Sequence, residues 1–317
     1  MLFTYRPVFN YKDMTVGPKF CIICGNEGTP IILNDLPMKK CRVCGLVWLE
    51  NFDIQLSHYE NLEDIDLSSD KIKRRINNCI DRANTIKKFL DLNNLCDIGC
   101  GDGLFLKVLQ EQGFENLIGI EPNIHLVDFA KNNGLKIIRG SIEDAERVIR
   151  FNGIKIVTMF HVIEHLPDPL ATLKSIYTSL DYDGKLVLET PDIESYSIKK
   201  TNYKNELIYP KHLFYFNQSN LEQLLEEVGF KIIFSGKRDF DQNHLSLSEI
   251  FFRLGIFSRH PKGGGTKGPS TNNSSYKNPI SKTGGLRKLA TKLARTILSR
   301  IVKITGRSDY IWMVVAK

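Results

Sequence analysis

The chain has 317 residues, of which 42% are apolar and 25% charged, and its formal net charge is +7. These values are typical of globular proteins and exclude collagen-like, fully disordered and coiled-coil chains. No apolar run approaches the roughly 18 residues that span a bilayer, and residues 1–17 lack the apolar segment of a secretory signal, so we expect a cytoplasmic protein. The excess positive charge lies after residue 237. Residues 238–317 contain 15 Lys/Arg and 4 Asp/Glu, whereas residues 1–237 contain 28 Lys/Arg and 32 Asp/Glu.

Two C-x-x-C pairs lie within the first 45 residues: Cys21 with Cys24, and Cys41 with Cys44, each followed by glycine. Two residues between thiolates allow one tight turn to direct both sulfurs at one ion, and two such turns complete a tetrahedral site. The pattern predicts a structural zinc in a small zinc-ribbon-like module over residues 1–61. A rubredoxin-like iron site and four unrelated buried cysteines are the alternatives. Because so short a segment has little core, the metal would supply much of its stability.

From residue 69 onward the apolar pattern predicts a helix over 69–92, followed by strands and helices in alternation. The predicted strands are 95–99, 116–122, 136–140, 154–160, 185–191, 230–235 and 310–316. The predicted helices among them are 104–113, 125–134, 170–180 and 220–229. This alternation is typical of an α/β fold with a parallel sheet covered by helices on both faces. We expect one core built from residues 69–240 and 309–317, with an insertion over 241–308.

A glycine-rich turn connects the first predicted strand of this core to the helix after it. Asp97 stands before three glycines at alternate positions, Gly99, Gly101 and Gly103. Such glycines let the backbone approach a ligand closely, and free N–H groups at a helix start favour an anionic group. The third glycine comes one residue too early for the dinucleotide pattern G-x-G-x-x-G, and the carboxylate of Asp97 would repel a pyrophosphate. Glu121 ends the next strand, where an acid binds ribose hydroxyls.

Seven segments of the core carry motifs that belong together. They are L-C-D-I-G-C-G-D-G (95–103), I-G-I-E-P-N (118–123), G-S-I-E-D (140–144), F-H-V-I-E-H-L-P-D-P (160–169), D-G-K-L-V-L-E-T-P (183–191), H-L-F-Y-F-N-Q-S-N-L (212–221) and L-L-E-E-V-G-F (224–230). Through these motifs the chain resembles class I S-adenosylmethionine-dependent methyltransferases over about residues 70–237 and the last strand. The resemblance implies a Rossmann-like seven-stranded sheet, with six parallel strands and one antiparallel strand, the last.

The resemblance also implies S-adenosylmethionine as cofactor and assigns its site. The amino-acid end of the cofactor would lie against the glycine-rich turn, its ribose against the end of the second strand, and its adenine against 141–143. The residues predicted to bind it are Asp97, Gly99, Gly101, Gly103, Glu121, Pro122, Ser141, Ile142, Glu143, Phe160 and His161. The family usually has an Asp near 141 or 142 for the adenine amino group, and Glu143 is the acid that this chain offers instead.

Methyl transfer requires an acceptor held about 3 Å from the methyl carbon, and a hydroxyl acceptor also needs a base. His212 is the predicted base and His161 the second catalytic candidate, whereas we interpret His165 as a packed side chain. Sugar C-methyltransferases with N-terminal zinc modules carry Y-x-E-H-like residues at the His212 position. Here Lys211 replaces the acid, which disfavours the C-methylation mechanism. The sequence after the fourth strand also lacks an N-P-P-Y-like turn, which disfavours base N-methylation.

Residues 286–304 predict a basic amphipathic helix within the insertion. Its apolar residues recur at three- and four-residue steps, Lys and Arg cover much of the rest, and no acid interrupts it. Such a helix either lies on an anionic membrane surface or packs on the core as a lid. This helix lacks the regularly spaced aromatic residues on which the bases of single-stranded nucleic acids stack.

The leading hypothesis is a methyltransferase that acts on a hydroxyl of a sugar or of another small-molecule, glycan or lipid-linked acceptor. This rests on the resemblance to methyltransferases of polysaccharide pathways, since a fold does not fix a substrate. Nucleic acid is not expected as a partner, and the basic helix would bring the enzyme to the inner face of the membrane. The first alternative is an RNA methyltransferase that holds RNA with its zinc ribbon and basic insertion. The second is a non-catalytic, membrane-associated scaffold.

Overall fold

A small antiparallel sheet opens the described part of the chain, which in this computed structural model comprises residues 16–52, 69–238 and 308–317. Its first strands are β1 (Gly28–Leu33), β2 (Leu36–Cys41) and β3 (Val47–Leu49). Asn34 and Asp35 connect β1 to β2 with φ of 47° and 62°, the left-handed conformation that two-residue hairpin turns require. The insertion predicted over 241–308, including the basic helix 286–304, lies almost entirely outside the described residues, which resume at 308.

Strands and helices alternate through the rest of the described residues. The strands are β4 (Leu95–Ile98), β5 (Leu117–Glu121), β6 (Ile137–Arg139), β7 (Ile156–Phe160), β8 (Lys185–Pro191), β9 (Phe214–Tyr215), β10 (Lys231–Lys237) and β11 (Tyr310–Ala316). The helices are α1 (Ser69–Ile86), α2 (Leu104–Glu111), α3 (Ile124–Asn132), α4 (Ile142–Phe151), α5 (Pro169–Ser179), α6 (Tyr196–Lys200) and α7 (Gln218–Val228). Among these described helices, none combines the length and the apolar character that crossing a membrane requires.

The main sheet has seven strands in the order β10-β11-β8-β7-β4-β5-β6. β4 pairs in parallel with β5 and β7, and the parallel pairing continues to β6 on one side and to β8 on the other. β11 runs antiparallel to both of its neighbours, β8 and β10. The predicted fold class, a Rossmann-like sheet whose last strand alone is reversed, is confirmed.

Two helices differ from the sequence prediction for local reasons. α4 was not predicted, although its apolar residues Ile142, Ala145 and Ile149 recur at three- and four-residue steps. It begins with a capping box in which the Ser141 backbone N–H donates to the Asp144 carboxylate over 3.0 Å, and such boxes satisfy the open N–H groups of a helix start. α1 ends at Ile86 rather than at residue 92, and a turn connects it to β4.

The N-terminal sheet is joined to the core by its fourth strand, β9. Trp48 of β3 pairs with Phe214 of β9, and the Leu49 N–H donates to the Leu213 carbonyl over 3.0 Å. The Asn34 side-chain amide donates to the Ile208 carbonyl over 2.7 Å. Trp48 and Phe214 are fully buried. The segment predicted as a separate module therefore shares a sheet and a hydrophobic core with the methyltransferase-like part of the chain.

Candidate active site

The four N-terminal cysteines converge on one point. Cys21 and Cys44 have their sulfurs 3.4 Å apart, Cys24 and Cys41 3.3 Å, and Cys24 and Cys44 3.9 Å. A tetrahedral zinc with Zn–S bonds of about 2.3 Å would separate its sulfurs by about 3.8 Å. None of the four is in a disulfide. The donor set therefore fits zinc, and four thiolates would close the coordination sphere, as structural sites require.

Glycines shape both cysteine turns. Gly25 and Gly45 have φ of 71° and 75°, which side chains rarely adopt. The Gly25 N–H donates to the Cys21 carbonyl over 3.0 Å, and the Gly45 N–H donates to the Cys41 carbonyl over 3.1 Å. Each turn thus folds back on its first cysteine and leaves the sulfur directed toward the shared point.

The carboxyl ends of β4 and β5 bring two buried carboxylates to the glycine-rich turn. Asp97 is 3% exposed and accepts a hydrogen bond of 2.6 Å from the Thr158 hydroxyl. Burial raises the pKa of Asp97 to about 7. Glu121 accepts hydrogen bonds from the backbone N–H groups of Gly101, over 2.9 Å, and Asn123, over 3.0 Å. The turn and the acid that the sequence singled out therefore contact each other directly.

The three glycines of this turn serve different purposes. All have positive φ, between 57° and 75°. A Cβ at Gly99 would lie 2.5 Å from the Val162 side chain, and one at Gly103 would lie 2.5 Å from Leu135, so both positions are closed by packing. A Cβ at Gly101 would meet no atom within 4 Å. Open space therefore adjoins the backbone at Gly101, beside the Glu121 carboxylate, and this fits the cofactor that the resemblance implies.

The other predicted cofactor residues surround the same region to different degrees. The Gly140 N–H donates to the Glu121 carbonyl over 3.1 Å, which brings Ser141 and Ile142, at the start of α4, close to the end of β5. Pro122 follows directly after β5 and is partly buried. The Glu143 side chain lies outside the described residues. Phe160 packs edge-on against Phe105, with ring centroids 5.1 Å apart.

His161 belongs to an ion-pair network that the sequence did not reveal. The guanidinium of Arg82 binds both oxygens of the Glu189 carboxylate, and His161 Nε2 lies 2.9 Å from the same carboxylate. Although burial favours the neutral imidazole, Glu164 and Glu189 raise the pKa of His161 to about 9. A protonated imidazole cannot accept a proton, so the network suits His161 to holding charge beside the turn rather than to acting as a base.

Replacing Arg82, the arginine of this network, should destabilise the folded protein. We expect Arg82→Met to lower the free energy of unfolding by about 3–5 kcal/mol, because the buried Glu189 carboxylate would lose both hydrogen bonds from the guanidinium and keep only His161 as a cationic partner. The exposed pair of Lys155 and Asp183 provides the matched control, and Lys155→Met should cost about 1 kcal/mol or less. Urea denaturation of both variants measures the difference. Equal costs would show that the buried pair contributes no more than a surface pair.

A second cluster lies around Glu164, in the turn after β7, where the Leu213 N–H beside β9 donates to the Glu164 carbonyl over 2.8 Å. His212 donates from Nδ1–H to the Leu207 carbonyl over 2.9 Å, and His165 donates from Nδ1–H to the Lys211 carbonyl over 2.8 Å. The His165 and His212 rings are 4.7 Å apart, and His212 Nε2 lies 4.0 Å from Glu164 Oε1. Burial lowers the pKa of His212 to about 4, so the imidazole is neutral. His212 therefore lies near His161, as a shared active site requires, through their common neighbour Glu164.

Sequence reasoning missed two members of this cluster. Glu164 was given no role and His165 was interpreted as packing alone. Both stand in the motif F-H-V-I-E-H, where ionisable residues interrupt an otherwise apolar run directly after a buried strand. Such interruptions at strand ends were the signal that could have identified them, because ligands bind at that edge of α/β sheets.

A cleft of about 880 Å³ lies between the cysteine turns and the start of α7. Its walls include exposed Lys40 and Arg42 on one side and Asn217 on the other. Glu194 and Glu222 also line it, so its charge is mixed. Asn217 caps α7, and the neighbouring Asn220 amide donates to the Cys44 carbonyl over 3.3 Å, which fixes the cysteine cluster to this helix.

Comparison with known families covers the region that carries these residues. Residues 59–234, more than half of the chain, match a family model described as a methyltransferase domain. That range includes the glycine-rich turn, both buried carboxylates and all three clustered histidines.

Curated relatives match over shorter stretches. A tRNA U34 carboxymethyltransferase from Helicobacter pylori is 30% identical over 151 residues, which is 43% of this chain and 56% of the relative. One from Aliarcobacter butzleri is 27% identical over 159 residues, 48% of this chain and 52% of the relative. The chain thus spans about half the length of the curated relatives it matches.

Among solved structures, a SAM-dependent methyltransferase from Archaeoglobus fulgidus aligns with a TM-score of 0.49 at 18% identity. The alignment covers 77% of this chain and 94% of that one.

Proposed function

The chain belongs to the methyltransferase domain family, and from that premise we propose that it transfers a methyl group from S-adenosylmethionine to a nucleoside of an RNA. When bound, the cofactor supplies a methyl on a positively charged sulfur. The acceptor's lone pair forms the new bond to carbon as the carbon–sulfur bond breaks, and S-adenosylhomocysteine leaves with that electron pair. The protein's task is to align the two partners.

The observation that supports the cofactor assignment is the open space at Gly101, beside the buried Glu121 carboxylate and four residues after the buried Asp97. We assign Asp97 to the ammonium group of the cofactor and Glu121 to the ribose hydroxyls. Each Glu121 oxygen already accepts one backbone N–H and retains lone pairs for a hydroxyl. Phe160 and His161 would close the site, with Pro122 and the start of α4 toward the adenine.

Cofactor affinity is expected to fall about 10- to 100-fold in Asp97→Ala and in Glu121→Ala, because each change removes a charged hydrogen-bond partner worth about 1.5–3 kcal/mol. Titration calorimetry with S-adenosylmethionine measures this. Asp183→Ala, at an exposed carboxylate that forms an ion pair with Lys155, is the control. Unchanged affinity in both site variants would contradict the cofactor assignment.

The sequence-based expectation about the acceptor has to be corrected. We expected nucleic acid not to be a partner, and that expectation is wrong, because curated relatives over 43% and 48% of the chain are tRNA U34 carboxymethyltransferases. The same finding favours the RNA alternative over the sugar or lipid-linked acceptor that led our hypotheses. We place the acceptor chemistry at His212, whose Nδ1 is held by the backbone while Nε2 is directed toward Glu164.

The cleft beside the cysteine cluster supports an RNA acceptor. Lys40 and Arg42 are exposed on its wall, and lysine and arginine supply most contacts to phosphate. A structural zinc would fix both residues, since Lys40 and Arg42 flank Cys41. Each phosphate contact adds close to one unit to the salt dependence of binding. We therefore expect Lys40 and Arg42 to position RNA rather than to select its sequence.

The deciding experiment uses the full chain with methyl-labelled S-adenosylmethionine and a cell extract separated into RNA, lipids and small metabolites. Label is expected in RNA, and Asp97→Ala should label it far less. In the double variant Lys40→Ala and Arg42→Ala, RNA affinity should fall and its salt dependence should lose about two units. Label confined to lipids or metabolites would overturn the RNA proposal while leaving the cofactor assignment intact.

A further inference from the structure

We propose that Glu164, His165 and His212 form a second metal site, separate from the four cysteines, which binds a divalent transition-metal ion on the acceptor side. The role of that ion in catalysis rests on the proposed function, whereas its binding does not.

The geometry of the cluster is that of a three-ligand site. One side-chain atom from each of Glu164, His165 and His212 lies within 4.8 Å of the other two, the spacing that ligands of a common ion require. Glu164 and His212 are 1% and 5% exposed. The site is thus preformed and largely dry.

Both imidazoles are oriented as metal ligands usually are. A ligating histidine engages its second ring nitrogen with a backbone carbonyl or carboxylate, which fixes the ring and its tautomer. Here Nδ1 of His212 lies 2.9 Å from the Leu207 carbonyl, and Nδ1 of His165 lies 2.8 Å from the Lys211 carbonyl. With Nδ1 of His212 donating to the Leu207 carbonyl, Nε2 of the same ring, 4.0 Å from Glu164 Oε1, carries the lone pair that an ion would bind.

Glu164 supplies the independent indication of a ligand. Its Oε2 accepts a hydrogen bond of 2.9 Å from the Thr190 hydroxyl, but its Oε1 is buried and accepts none. Two histidine nitrogens lie within ion-pair distance of Oε1, His161 Nδ1 at 3.5 Å and His212 Nε2 at 4.0 Å. A buried carboxylate oxygen without a hydrogen bond is costly, and a cation between Glu164 and His212 would satisfy it.

The donor set indicates which ions fit. Two imidazoles and one carboxylate suit Mn²⁺, Fe²⁺, Co²⁺ and Zn²⁺, whereas the four thiolates select softer ions. Three protein ligands also leave coordination positions open, as in catalytic rather than structural sites. A ribose hydroxyl of the acceptor could occupy one of them. The ion would lower the pKa of that hydroxyl, its proton would pass to water, and the oxygen would then attack the methyl carbon.

Mn²⁺ alone is the probe, because it has little affinity for thiolates and so leaves the cysteine cluster aside. We would titrate the full chain with Mn²⁺ and follow the free ion by electron paramagnetic resonance, without cofactor or RNA. The wild type is expected to bind one Mn²⁺ per chain. Glu164→Gln and His165→Ala should each weaken binding at least tenfold. His125→Ala, at an exposed histidine of α3, is the matched control and should bind as the wild type does.

The outcomes separate the two proposals. Absence of Mn²⁺ binding by the wild type, or equal binding by all variants, would overturn the metal site. Retained S-adenosylmethionine binding by Glu164→Gln and His165→Ala shows that they are folded, so that lost Mn²⁺ affinity then supports it. In the labelling assay, transfer to RNA should rise with added Mn²⁺ and fall with a chelator. Methyl transfer that changes neither with added Mn²⁺ nor with a chelator would overturn the catalytic role of the ion. If Mn²⁺ binds but no methyl is transferred to RNA, only the RNA proposal is refuted.

Discussion

Replacing His212 by alanine is expected to lower kcat for methyl transfer by roughly 10²- to 10⁴-fold, the range that one positioned acid–base or metal-binding group contributes. Cofactor affinity should stay close to that of the wild type, because His212 lies on the acceptor side and no predicted cofactor residue hydrogen-bonds to it. Single-turnover measurement with labelled cofactor gives the rate of the chemical step. Calorimetry with S-adenosylmethionine gives the affinity.

Two comparisons make this result specific. His212→Gln keeps most of the buried volume, so a loss shared by both variants cannot be attributed to a cavity. His125→Ala controls for the removal of a histidine elsewhere. Mn²⁺ titration of His212→Ala then tells a ligand from a base, since only a ligand's removal weakens Mn²⁺ binding. A kcat within threefold of the wild type would exclude His212 from the chemistry.

Cys41→Ser should abolish binding of zinc by the four thiolates. It should also destabilise the N-terminal sheet by far more than an ordinary substitution, which costs about 1 kcal/mol. Structural zinc binding is worth about 10–16 kcal/mol in isolated zinc-finger peptides, and three sulfurs cannot close the site. Since β3 pairs with β9, the loss is expected to extend into the core. Zinc released by a thiol-specific mercurial should fall from one per chain to none, and thermal unfolding should shift downward.

Cys79→Ser is the matched control, because Cys79 is a single buried thiol on α1, away from the cluster. This variant should still release one zinc with the mercurial. Its free energy of unfolding should fall only by the amount expected for one polar atom in a hydrophobic core. A wild-type protein that releases no zinc would refute the ribbon. Zinc retained in Cys41→Ser would show instead that the remaining sulfurs suffice.

Local sequence identified the glycine-rich turn and Glu121, which the structure brings into contact, and their binding of the cofactor stays a prediction. The turn 97–103 and Glu121 lie within 25 residues, and glycine spacing reports directly on backbone conformation. The convergence of the two C-x-x-C pairs was also predictable from local sequence, because a single turn brings the two cysteines of each pair together. The seven-stranded sheet with its reversed last strand followed from the family resemblance. The order of the strands was not predicted, because the spacing of strands along a chain leaves their order in the sheet open.

What sequence could not reveal depends on contacts between distant residues. Arg82 and Glu189 are 107 positions apart, and only folding shows that they form a buried pair beside His161. The pairing of β3 with β9 likewise joins residues 48 and 214. Glu164 was given no role from the sequence because an acid after a strand is common, and only the folded structure shows that its carboxylate is buried with one oxygen that accepts no hydrogen bond.

The position of β11 has a consequence for how the protein is made. This strand is inserted between β8 and β10 and pairs with both along its length, yet residues 310–316 are the last of the sheet to be synthesised. Until they leave the ribosome, β8 and β10 lack their common neighbour and expose open strand edges, which other chains can bind. The nascent chain is therefore most vulnerable to misassembly just before the last strand of the sheet emerges. A chaperone that covers strand edges would act on it at that stage.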